Sequence, residues 1–60
     1  MFEAYPDVCC VEDAADMLRM KSYRVYQLIK SGKLRRLNTG KPFLIPKSEI
    51  IRFVERSVLE

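Results

Sequence analysis

Apolar residues along this chain recur at helical spacing in three places, with a different pattern between the second and third. Val11, Ala14, Ala15 and Leu18 stand at i, i+3, i+4 and i+7, one stripe of an amphipathic helix over 11–18. Glu12 and Asp13 sit in its first turn, where the helix dipole favours acids. The two alanines make the stripe narrow, so another helix can approach closely. After the short break Arg19-Met20-Lys21, with Met20 placed to dip between the helices, a second helix is predicted over 22–31. Its buried stripe is Val25, Leu28 and Ile29. Gly32 lies where a C-terminal stop belongs, and Lys30 suits the dipole of the last turn. Two short β-like runs follow, Leu34 to Leu37 and Phe43 to Ile45. They flank Asn38-Thr39-Gly40-Lys41, a turn-forming sequence, and predict a β-hairpin over 34–45. Pro42 lacks an N–H and fits only a non-bonded position there. Pro46 opens a third helix, 47–58, with Ile50, Phe53 and Val54 inward. Ile51 and Val58 make it more apolar than one small core requires. Residues 1–8 read as an arm in which Pro6 discourages helix.

Two short helices joined by about three residues, then a hairpin, then a packing helix describe a single α+β, mostly helical domain. This is the plan of a winged helix-turn-helix, with three short helices and a two-stranded β-hairpin wing. The first helix braces the second through Ala14 and Ala15. The outer side of the second is then free to enter a DNA major groove, which admits one α-helix. Ser22, Tyr23, Arg24, Gln27 and Lys30 face away from its buried stripe, and all can hydrogen-bond to bases or phosphates.

Charge sharpens this expectation. The net charge is +3, but residues 1–16 carry five acids and no base, whereas 17–48 carry nine bases and no acid. Such segregation predicts an electropositive face whose usual partner is a polyanion. Lys47, beside the start of the third helix, suits a phosphate rather than a base. Other chemistry is poorly supplied. The chain has no histidine, and its two cysteines, Cys9 and Cys10, are adjacent. A bond between neighbours closes almost no loop, and a tetrahedral zinc site lacks ligands, so reduced thiols and no metal are expected. There is no nucleophile motif and no glycine-rich phosphate loop, so neither an enzyme nor a cofactor is expected. No apolar run approaches the roughly 20 residues that span a bilayer. The first residues have neither the basic nor the apolar region of a signal peptide, and the expectation is a cytoplasmic protein.

The chain resembles the excisionase-type DNA-binding domains, relatives of the winged-helix head of the MerR superfamily. The resemblance is carried by residues 11–18, Val-Glu-Asp-Ala-Ala-Asp-Met-Leu, and by 25–34, Val-Tyr-Gln-Leu-Ile-Lys-Ser-Gly-Lys-Leu. Gly40 and Ile45-Pro46-Lys47-Ser48 complete it. It implies that the second helix reads DNA through Ser22, Tyr23, Arg24 and Gln27. Arg36 and Lys41 of the wing would hold the backbone or minor groove, and Tyr26 would support a phosphate contact. The implied role is an excisionase, a recombination directionality factor that binds and bends double-stranded DNA beside an integrase and assembles cooperatively along it. The short chain, without an effector domain or long dimerisation helix, favours this over a small transcriptional regulator of a mobile element. A reading of another class, a protein-interaction module that never touches DNA, would use Phe2, Tyr5 and Val8 with Ile51 and Val58. Departures from the family pattern are Cys10 and Lys21 at the two helix caps, Arg19 where the turn often has glycine, and Asn38, Pro42 and Leu44 in the wing.

Overall fold

A computed structural model describes residues 2–38 and 40–59. Met1 of the arm, Thr39 of the wing's turn and Glu60 lie outside the described residues. The order of elements is β1 (Val8–Cys10), α1 (Val11–Leu18), α2 (Ser22–Lys30), β2 (Leu44–Pro46) and α3 (Lys47–Leu59). Three helices and a two-stranded antiparallel sheet give the mostly helical α+β architecture expected of a winged helix-turn-helix. Among the described residues no helix is long and apolar enough to cross a membrane.

The helices follow their sequence signals closely. α1 has the expected bounds and buries Val11, Ala14 and Ala15, together with Met17. Its cap is a weak one: the Cys10 Sγ accepts the Asp13 N–H at 3.4 Å. It ends at Arg19, which adopts the left-handed conformation at φ 54°, ψ 48° and donates its N–H to the Asp16 carbonyl at 3.2 Å. That conformation is where glycine would be unstrained. α2 ends one residue earlier than expected, with Ser31 as its cap, and Gly32 takes a positive φ of 81°. α3 runs one residue longer than expected.

The sheet departs from expectation. Residues 34–37 are not a regular strand; among the described residues their backbone tie to β2 is one hydrogen bond, Leu37 N–H to the Leu44 carbonyl at 2.8 Å. β2 pairs instead with β1, in the register Val8↔Pro46, Cys9↔Ile45 and Cys10↔Leu44. The physical reason is burial. Cys9 and Ile45 are both fully buried and sit opposite each other, so pairing β1 with β2 closes the core. The described residues between 34 and 43 form the wing, held at its base by the bond from Leu37 to Leu44.

The arm is therefore fixed rather than loose. Beyond the strand pair, the Lys47 N–H donates to the Asp7 carbonyl at 2.7 Å. Phe2 and Tyr5 meet edge to face, 6.1 Å between centroids, and pack against the core. The Tyr5 hydroxyl donates to the Asp16 carboxylate, a bond that raises the phenol above its ordinary pKa. The core itself is Cys9, Val11, Ala14, Ala15, Met17, Val25, Leu34, Ile45 and Ile50. The Cys9 thiol lies 3.8 Å from the Met17 sulfur, and burial pushes its pKa up, keeping it protonated. Both cysteines are free thiols.

Candidate nucleic-acid interface

α2 packs chiefly on α1, and of its nine residues only Val25 is fully buried. Leu28 and Ile29 complete the inner stripe half-buried. At about 100° per residue, Tyr23, Gln27 and Lys30 stand opposite that stripe, and all three are exposed. Tyr23 shows 59% of its surface. Arg24 and Tyr26 occupy the two flanks of the helix. Ser22 opens the helix and is half-buried. Lys21 makes no side-chain cap; its carbonyl accepts the Arg24 and Val25 amides at 3.0 and 3.4 Å, which leaves the Ser22 and Tyr23 amides to meet an anion. An α-helix is about 10–12 Å across with its side chains, which fits a major groove about 12 Å wide.

The wing is joined to the Tyr26 flank by a stack of rings. Tyr26 lies 5.7 Å from Phe43, centroid to centroid, tilted by 57°. The Arg36 guanidinium lies over the same Phe43 ring, 4.5 Å from its centre. One Arg36 nitrogen donates to the Leu37 carbonyl at 3.0 Å, and among the described residues the remaining guanidinium donors have no hydrogen-bond partner. Lys41 is exposed near the tip of the wing, beside Gly40 with its φ of 82°. Lys41, Pro42 and Phe43 form one wall of a cleft of about 650 Å³; Tyr26 and the start of α1 form the other. The wing is thus held against the exposed helix by Phe43. In the sequence Phe43 reads only as a strand residue; an aromatic set among Arg35, Arg36 and Lys41 is the signal that marks it.

Two of the expected residues stand apart from this surface. The Lys47 ammonium is committed to the arm: it donates to the Phe2 and Tyr5 carbonyls at 3.3 and 3.1 Å and lies 3.7 Å from the Asp7 carboxylate. Its place directly after β2 turns it inward, and the adjacent arm supplies acceptors that the sequence alone did not locate. Arg24 does not face straight out with Tyr23 and Gln27. It borders a second cleft, of about 360 Å³, with Leu28, Lys33, Phe53, Arg56 and Ser57. Tyr23, Gln27 and Lys30 on the outer face, Tyr26 with Arg36 and Lys41 on the wing side, and Arg24 on the α3 side therefore form three adjoining strips.

The comparison with known families agrees with this geometry. Residues 11–58 match the helix-turn-helix domain family, and the chain belongs to it. No curated protein and no solved structure matches the chain. It is accordingly a sequence-specific DNA-binding helix-turn-helix domain, with double-stranded DNA as its partner.

Proposed function

We propose that α2 lies in the major groove and that the chain acts as an excisionase-type directionality factor, related to the winged-helix heads of the MerR superfamily. The observation that carries the first part is the uncompensated outer face of α2. Tyr23, Gln27 and Lys30 are exposed among the described residues, while the other side of the helix packs on α1. Gln27 has the donor and acceptor pair that matches an adenine edge, and Tyr23 can contact a base or a phosphate. The Ser22 hydroxyl and the Ser22 and Tyr23 amides meet one phosphate. Arg36 and Lys41 hold the backbone on the wing side, with Tyr26 bracing the stack. Lys47 has no place in this contact set, because its ammonium is spent on the arm.

The second part rests on the resemblance of residues 11–18 and 25–34 to excisionase-type domains. One short helix reads few base pairs, so specificity comes from several copies or from DNA shape. Cooperative assembly that bends DNA for an integrase satisfies both.

The test combines circular-permutation gel shifts with sedimentation of the free chain. The expected result is a chain monomeric at micromolar concentration that binds repeated half-sites cooperatively and bends them. A tight free dimer that leaves its DNA straight would favour the transcriptional regulator instead. Affinity that does not change with salt would remove DNA binding altogether, since contacts to about four to six phosphates imply a log–log slope of roughly −4 to −5.

A further inference from the structure

The cleft beside Arg24 is built from two regions of the chain that the groove-and-wing reading does not use. Lys33 comes from the segment after α2, and Arg56 from the last turn of α3. Leu28 and Phe53 form its apolar wall, and Ser57 its edge. Three cations line it without an acid, and among the described residues none of the three is ion-paired. The Ser57 hydroxyl donates to the Phe53 carbonyl at 2.9 Å, so the cations are the donors a ligand would meet. Like charges brought together without a counter-charge raise the local potential and select an anion.

Its position tells which anion. Arg24 and Tyr26 stand about 160° apart around α2, taking 100° per residue and two steps. The wing lies on the Tyr26 side and the cleft on the Arg24 side. A helix seated in a major groove has a phosphate backbone on each side of it. Arg36 and Lys41 meet one, which leaves the other facing the cleft.

We propose that Arg24, Lys33 and Arg56 form a second backbone clamp, holding a DNA phosphate across the groove from the wing, so that α3 is part of the DNA-binding surface. This inference rests on the reading of α2 as the groove helix. It makes Arg24 a phosphate ligand rather than a reader of a base edge. Two clamps also fix how α2 is inclined in the groove, which one clamp does not.

The experiment measures affinity for duplex DNA by fluorescence anisotropy from about 50 to 200 mM salt. Each phosphate contact contributes about 0.9 to the log–log slope, or roughly a threefold change in affinity over that range. Arg56→Ala and Lys33→Ala should each make the slope shallower by up to about 0.9, equally on target and random duplexes. Arg56→Lys should restore most of it. Arg52→Ala is the control for net charge, since Arg52 is exposed on the same helix and does not line the cleft. It should leave the slope nearly unchanged. Lys41→Ala, on the wing, should also make the slope shallower. Thermal melting of each variant separates binding from folding. Equal effects of Arg52→Ala and Arg56→Ala would reduce the cleft to general charge and overturn the proposal. So would an unchanged slope in Arg56→Ala while Lys41→Ala loses binding; in that outcome the groove reading stands and only the clamp fails. A parent chain whose binding ignores salt would overturn both. Inorganic phosphate titrated onto the free chain should shift the Lys33 and Arg56 resonances only weakly. Saturation at micromolar phosphate would mean a small-anion site and contradict a backbone clamp.

Discussion

α1 and α2 are nearly equal in length and both amphipathic, yet they divide their surfaces in opposite ways. α1 buries four of its eight residues, and α2 fully buries one of nine. α1 carries Glu12, Asp13 and Asp16 and no base; α2 carries Arg24 and Lys30 and no acid. Ala14 is fully buried, whereas Tyr23, Gln27 and Lys30 on the outer strip of α2 are exposed. Equal amphipathicity thus serves two ends. α1 spends its surface on packing against its neighbours, and α2 keeps a narrow inner stripe and leaves most of its surface exposed.

The largest effects should come from the core that sustains the α1 side of this contrast. Ile45 is fully buried and paired with Cys9 at the centre of the sheet. Ile45→Ala should cost about 2–5 kcal/mol, enough to unfold much of a domain this small, as read by thermal denaturation. Leu28, only half-buried, should fall at or below the low end of that range.

A matched pair of substitutions sharpens the comparison. Ala14→Leu overfills the core in which Ala14 is fully buried and should destabilise by about 1–3 kcal/mol. Gln27→Ala on α2 should leave the melting temperature nearly unchanged and cost about 1–3 kcal/mol of discrimination between target and random DNA. If Gln27→Ala melted the fold and Ala14→Leu did not, the two faces would be interchanged.

The link between α2 and the wing is smaller. A double-mutant cycle of Tyr26→Ala and Phe43→Ala should give a coupling of about 0.5–1.5 kcal/mol in DNA affinity. A coupling of zero would show that the wing is positioned without that ring contact. Smallest is the cap of α1. Cys10→Ser replaces a sulfur acceptor at 3.4 Å with a hydroxyl and should stabilise by up to about 1 kcal/mol by denaturant titration. Any loss of stability would show that the Cys10 thiol packs better than it caps.

How much of this was legible depended on whether a residue's surroundings were local. Helix bounds follow from periodicity and from Gly32, and each was located within one residue. The left-handed Arg19 was foreshadowed by its standing where glycine is usual. The sheet was misread because 34–37 and 43–45 look like neighbours joined by a turn, whereas the stronger partner of Ile45 is Cys9, thirty-six positions away. Nothing in a three-residue strand of Val-Cys-Cys announces that pairing. The same distance hid the role of Lys47, whose acceptors at Phe2 and Tyr5 are brought to it by the β1–β2 pair. The outer residues of α2 were legible because a helix wheel is local. That Arg24 belongs to a flank shared with Arg56 was not, because it depends on where α3 lies.

The central claim, that α2 and the wing are the DNA-binding surface while α1 only supports them, is tested most directly by NMR. Backbone amides would be followed as duplex DNA is added. The account predicts that Ser22, Tyr23, Arg24, Gln27 and Lys30 shift most, with Arg36 and Lys41 next, while Ala14, Ala15 and Met17 hardly move. Shifts concentrated instead on Phe2, Tyr5 and the exposed Val58 would contradict it and make the chain a protein-docking module.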